Sequence, residues 1–283
     1  MKKILLPTDF SDNAYNALRY AVELYKDDDC TFFLLNTYTP PIHQTEYILD
    51  TPAQLGLGDI YRTRSLENLE ALKKRATDEF KNPRHVFNTR SAFNTLTEEI
   101  LETVGNEQID LIVMGTKGAK GAQEILFGTN TVDVIEKANC PVIAVPSKFK
   151  FDAPEEILFP TDYEIDYREK QLGELVYLAE KYNARISVLH VASSYGLDQE
   201  KKSNKSVLTG TLDSVSLEHH EVPDTEVITA ITDFQSRQGT DFLVMVQNRH
   251  SFFERLFIEP VIKKIGFHVH VPFMVIPHQT TTF

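Results

Sequence analysis

Cysteine is scarce in this sequence of 283 residues: Cys30 and Cys140 are the two. They lie far apart in apolar surroundings, without the spacing of metal ligands. That excludes a disulfide framework and a thiolate cluster, and the expectation is two buried structural thiols. No apolar run approaches the roughly 20 residues that span a bilayer. The opening "MKKILLPTDFSDNAY" turns polar at Thr8, too early for the apolar region of a signal peptide, so a soluble, reducing, cytoplasmic setting is expected. Positive charge is in deficit, with 29 Lys and Arg against 41 Asp and Glu and a formal net charge of -12. That argues against broad binding to nucleic acid or to an anionic membrane, both of which reward a basic face. Low-complexity tracts are absent, and 42% hydrophobic with 25% charged residues describes an ordinary globular chain. Catalytic signatures are missing as well. There is no G-x-S-x-G elbow, no spaced acid–base carboxylate pair and no Walker A motif, which needs Gly-Lys-Ser/Thr at the helix start.

What is present is a sentence written twice. "KILLPTDFS" (Lys3–Ser11) returns as "EILFPTDYE" (Glu156–Glu164), and "FFLLNT" (Phe32–Thr37) as "ISVLHV" (Ile186–Val191). "DLIVMG" (Asp110–Gly115) returns as "DFLVMV" (Asp241–Val246), and "CPVIAVP" (Cys140–Pro146) as "VPFMVIP" (Val271–Pro277). The order is the same in both copies, as in a tandem duplication. The seam falls near Ser147–Glu156, a polar stretch with a proline. The domains are therefore expected at 1–148 and 153–283.

Within the first copy, short apolar runs at Lys3–Pro7, Thr31–Tyr38, Val86–Thr89, Asp110–Gly115 and Val142–Val145 read as strands. Between them, helical spacing predicts helices after the N-cap Ser11 and over Leu66–Phe80, Thr95–Val104 and Asn130–Lys137. Strands without alternation, separated by helices, imply an α/β fold: a five-stranded parallel sheet in each half, covered by helices on both faces. Crossovers of this kind suggest a flavodoxin-like, Rossmann-like order, 2-1-3-4-5 or a variant, with ligands beyond the carboxyl ends of the strands. The apolar runs Val142–Val145 and Phe273–Ile276 are candidates for joining the two halves edge to edge as a pseudo-two-fold dimer within the chain. Residues Thr39–Arg64 form an unusually long connection in the first half, read either as a lid or interaction segment or as a surface insertion.

The glycine-rich stretch "MGTKGAKGAQEILFGTNT" (Met114–Thr131) carries the functional question. Glycine lets backbone approach a ligand closely, and the first turn of a helix offers free N–H groups to an anion. Lys117 and Lys120 supply local positive charge. On glycine count alone, a flexible loop with a helix cap is an equal reading. The spacing Gly115-x2-Gly118-x9-Gly128-Thr129, together with "PTDFS" and "CPVIAVP", resembles the signature of the universal stress protein family, G-x2-G-x9-G-[S/T]. The resemblance covers essentially the whole chain, once per half. It implies flavodoxin-like domains, often dimeric, many of which bind ATP or AMP while others lack the signature and do not. It implies one site in the first half. Pro7, Thr8 and Asp9 lie at the adenosine, with a helix cap as the plainer role for Asp9. Thr37 meets adenine through its backbone, and Met114 and Gly115 lie against the ribose. Gly118, Gly128, Thr129, Asn130 and Thr131 hold the phosphates of ATP or AMP, alone or with Mg.

The second half aligns over this stretch without a gap, and each signature position is altered: Val246, Arg249, Glu259 and Pro260 replace Gly115, Gly118, Gly128 and Thr129. A β-branched residue where backbone must approach, a carboxylate where phosphate sits and a proline without an N–H all oppose that ligand. One nucleotide site per chain is the expectation, with a regulatory or sensing role. A scaffold without nucleotide is the alternative. Slow ATP hydrolysis is the third reading, although no dedicated base or arginine finger is visible and Glu124 and Asp133 read as helix-face residues. His219-His220 and His268-x-His270 are conceivable metal pairs, but a third ligand is not apparent, and no metal site is assigned. His190 is a weak candidate for lining the second half's altered pocket.

Overall fold

The computed structural model describes residues 1–38, 55–116, 128–167, 169–192, 196–223, 225–247 and 270–278. The first copy runs β1 (Lys2–Pro7), α1 (Asp12–Leu24), β2 (Cys30–Thr37), α2 (Leu55–Phe80), β3 (His85–Ala92), α3 (Leu96–Glu107), β4 (Leu111–Gly115), α4 (Thr129–Lys137), β5 (Val142–Val145). The second runs β6 (Glu156–Pro160), α5 (Glu169–Tyr182), β7 (Arg185–Val191), α6 (Gln199–Thr211), β8 (Ser216–Val222), α7 (Val227–Gln238), β9 (Phe242–Val246), β10 (Phe273–Ile276). The expected N-cap of α1 is in place, with Ser11 Oγ accepting from the Ala14 amide at 3.2 Å. Thr95, expected as the first residue of its helix, is instead the cap of α3. Helix α2 starts earlier than its sequence indicates. Glycines at 56 and 58 weaken the local helical signal, yet Leu55–Arg64 is helical and continues into the part of α2 that docks along β2 and β3 through buried Ser65, Leu69 and Ala76. Residues 39–54 of the long connection lie outside the described residues.

All strands join one ten-stranded sheet in the order β3-β2-β1-β4-β5-β10-β9-β6-β7-β8. Each half is parallel, and its order is 3-2-1-4-5 rather than 2-1-3-4-5. The reason is visible in the strands. "LIVM" of β4 is buried throughout and suits the centre, whereas "HVFNTRSA" of β3 leaves Val86 and Asn88 exposed and suits an edge. The other free edge, β8, reads "SLEHHEV", charged enough to discourage pairing with a further chain.

The halves meet through β5 and β10, which pair antiparallel with Phe273 opposite Ala144, Met274 opposite Ile143 and Val275 opposite Val142. Two cores result, one per sheet face, and each runs across the seam. Ile4, Leu6, Val113, Ile143, Met274, Val244 and Phe159 share one. Leu5, Ile112, Val142, Val275, Leu243 and Leu158 share the other. A second junction lies beside the seam, where α5 meets the end of α1. Lys2 Nζ reaches Glu174 at 2.6 Å and lies 4.4 Å from the Tyr177 ring centre, Tyr25 OH donates to Glu174 at 2.6 Å, and Lys181 pairs with Asp28. The connecting segment is anchored too, with Phe149 and Phe151 edge-on to Tyr20.

Both cysteines are free and buried, and burial pushes each thiol up to about 12, so neither is a thiolate at neutral pH. His85 is buried with Nε2 3.0 Å from the Tyr25 carbonyl. Burial lowers its pKa from 6.5, against an opposing pull from that carbonyl and Asp28. A depressed histidine contributes stability above its unfolded pKa and loses it as pH falls through the folded one. Thermal melts are therefore expected to show a falling Tm below pH of about 6.5, with a shallower slope in His85→Gln. At the seam, Ile143 is fully buried. Ile143→Ala is expected to cost about 2–4 kcal/mol in urea unfolding.

Candidate nucleotide site

The carboxyl ends of β1, β2 and β4 form one rim, and hydrogen bonds join its parts. After Pro7, the buried last residue of β1, the Thr8 amide donates to the Leu35 carbonyl at 2.8 Å. Thr8 Oγ1 accepts from the Phe10 amide and Asp9 Oδ1 from the Ser11 amide, each at 3.0 Å. Two short polar side chains thus fold residues 8–11 into a tight turn, which Phe10 completes with φ 64°. The cap of α1 is Ser11; Asp9 sits two residues earlier with an exposed side chain. Thr37 ends β2 opposite Ala92, beside this turn.

Gly115 closes β4. A Cβ on it would come within 2.4 Å of Asn13 Nδ2, so α1 lies against the glycine at a distance no other residue type tolerates without displacement. Met114 turns its side chain into the core, leaving its backbone to the rim. Gly118, Lys117, Lys120 and Glu124 fall outside the described residues. The chain re-enters at Gly128, whose amide donates to the Thr116 carbonyl at 2.7 Å. Gly128 is the N-cap of α4 and has no side chain to accept from the first-turn amides, and Thr129 and Asn130 that follow it are exposed. Thr131 differs: its hydroxyl is buried and donates to the Gly115 carbonyl at 3.1 Å, pinning the α4 N-terminus to the end of β4. Asn13 and Thr116 escape sequence reasoning. The first shows as one more polar helix residue, and the second, fully buried with no hydroxyl partner among the described residues, follows the strand the glycines draw attention to.

The second half builds the same turn with different supports. The Thr161 amide donates to Leu189 at 2.9 Å, Thr161 Oγ1 accepts from Tyr163 at 3.0 Å, and Asp162 Oδ1 accepts from Glu164 at 3.1 Å. Tyr163 has φ 57°. Asp162 is less open than Asp9, and burial raises its carboxyl above the ordinary range. Val246 ends β9 where Gly115 ends β4; Arg249, Glu259 and Pro260 lie outside the described residues. His190 places its ring 4.8 Å from that of Tyr163. His219 and His220, adjacent on β8, face opposite ways: His219 Nε2 is 3.2 Å from Thr209 Oγ1, and His220 lies edge-on to Phe234. They do not converge on a common point, and His268 is outside the described residues.

A family model described as "Universal stress protein family" matches residues 1–146, a span holding this whole first rim. The chain belongs to the universal stress protein family. Universal stress protein MJ0531 of Methanocaldococcus jannaschii is 30% identical over 153 residues, covering 51% of this chain and 81% of that protein. Universal stress protein MJ0577 of the same organism is 32% identical over 163 residues, covering 52% and 96%. The crystal structure of a universal stress protein from Archaeoglobus fulgidus superposes with a TM-score of 0.66 at 17% identity, covering 98% of this chain and 96% of that one. That likeness shows the family fold over nearly the full length of both halves. No described helix is long and apolar enough to cross a membrane.

The close approach at Gly115 has a measurable consequence. Gly115→Ala is expected to lower stability by about 0.5–1.5 kcal/mol, since the atoms it displaces are the amide end of the Asn13 side chain. Combining it with Asn13→Ala is expected to cost less than the sum of the two single changes, since the clash is removed. Denaturant unfolding of the three variants measures the coupling.

Proposed function

We propose that the first rim binds one adenine nucleotide, ATP or AMP, with or without Mg, and that the protein serves as a cytoplasmic nucleotide sensor in stress regulation. The observation that carries this reading is the N-terminus of α4. A glycine caps it without a side chain, and it is pinned by Thr131 beside a second glycine at the end of β4. Such an arrangement leaves backbone amides and positive helix-end potential facing an open rim, the environment that favours phosphate. The exposed Asp9 carboxylate on its rigid turn supplies an acceptor for ribose hydroxyls, and the end of β2 at Thr37 supplies backbone for an adenine edge. Family membership supports the same assignment. The features that support the reading, a side-chain-free helix N-terminus and a glycine beside it, favour holding an anion, and binding is the function proposed.

In the second rim, Val246 occupies the place of Gly115, and the aligned sequence puts a carboxylate and a proline where the first has Gly128 and Thr129. Calorimetric titration with ATP and AMP is expected to give a stoichiometry near one per chain, and about two would contradict the proposal. Gly128→Glu, which copies the second half's own residue, is expected to abolish binding while preserving the fold. A carboxylate at a helix N-cap favours the helix and repels the phosphate. Unaltered binding in that variant would place the ligand elsewhere.

A further inference from the structure

We infer that Asn36 is a positioning residue for the first rim, held in its working orientation by Ser65 of α2, so that the rim's affinity answers to where α2 sits. The inference rests on the nucleotide reading above and concerns its regulation. The Thr8–Ser11 turn is fastened to β2 twice, by the Thr8 amide to Leu35 and by Asn36 Nδ2, which donates to the Thr8 carbonyl at 2.7 Å. A carboxamide can present either end, and only the NH2 end suits a carbonyl. The Thr8 carbonyl therefore fixes which end faces it, and Ser65 holds the other: its hydroxyl donates to Asn36 Oδ1 at 2.7 Å. A hydroxyl has one proton, and Asn36 Oδ1 cannot donate. In the 2.7 Å contact between Ser65 Oγ and Ser91 Oγ, Ser91 is therefore the donor.

The result is a directed chain, Ser91 on β3 to Ser65 on α2 to Asn36 on β2 to the carbonyl of Thr8, the residue before Asp9. Asn36 and Ser65 are 9% and 3% exposed, so water does not substitute for a missing link, and an unmet group there is costly.

The second half meets the same requirement with other residues. His190 Nδ1 lies 2.9 Å from the Thr161 carbonyl, which makes Nδ1 the protonated nitrogen. Helix α6 reaches the turn directly, with buried Asn204 donating to the Tyr163 carbonyl at 2.9 Å. In both units the second helix is tied to the strand-one turn through a buried polar side chain, although the residues and the route differ. A shift of α2, whose first turn follows residues 39–54, would thus be transmitted to the turn that carries Asp9.

The test is ATP titration calorimetry on the full chain, with amide exchange of Phe10 and Ser11 followed by NMR without ligand. Asn36→Ala is expected to weaken ATP binding about five- to tenfold and to speed exchange at both amides. Asn36→His, borrowing the second half's solution, is expected to recover affinity to within about twofold of wild type. Ser65→Ala, a change of one oxygen, is expected to weaken binding about threefold and serves as the second variant if Asn36→Ala does not fold. Folded Asn36→Ala and Ser65→Ala proteins that bind ATP as wild type does would overturn the inference alone. So would an Asn36→His protein as weak as Asn36→Ala. Wild-type protein that takes up no ATP would overturn the nucleotide reading and this inference together.

Discussion

The antiparallel pairing of β5 with β10 is the contact on which the architecture depends. A parallel five-stranded sheet of order 3-2-1-4-5 leaves the edge of its last strand open, and here that edge is four apolar residues long in each copy. Exposed, such an edge invites association with other chains. Paired with its own repeat, it closes, and the side chains beneath and above it merge into two cores that cross the seam. The pairing also fixes the relation of the two rims. Within each half the strands are parallel, and across the seam they reverse, so the carboxyl ends of the two sheets lie on opposite sides.

Duplication gave both rims the same starting turn, and the two copies show which features persisted and which diverged. Both retain Pro-Thr-Asp, the side-chain-to-amide hydrogen bonds that shape it and the positive φ of the aromatic residue that follows. These features shape the turn after strand one in both copies, although α1 begins two residues after that aromatic residue and α5 six. The glycines differ. Gly115 admits Asn13 against the backbone at the end of β4, and Gly128 caps α4 without a side chain; the second copy has Val246 at the first position and Glu259 at the second. The shared turn and the altered glycines show that the two halves keep one fold while the residues at the ends of their fourth strands diverge.

Local pattern and repeat made much of this legible from sequence. Apolar runs of four to eight residues located the strands, Ser11 marked a helix start because its hydroxyl directly precedes a helical stretch, and the doubled motifs identified the paired edges. The glycine spacing named the family before any coordinates. These features rest on interactions between residues near in sequence, or on the requirement that a buried strand be apolar, and both leave a direct imprint on residue order.

Tertiary structure decided what depends on partners distant in sequence. The place of β3 outside β2, the inward hydroxyl of Thr131 and the Ser91–Ser65–Asn36–Thr8 chain are each set by packing between separate elements. A serine inside a charged helix and an asparagine near the end of a strand carry no mark of the contact they make. Hydrogen bonds between such residues join points 26 to 29 positions apart, and nothing in the order of residues along a chain specifies which of many polar side chains will meet once it is folded.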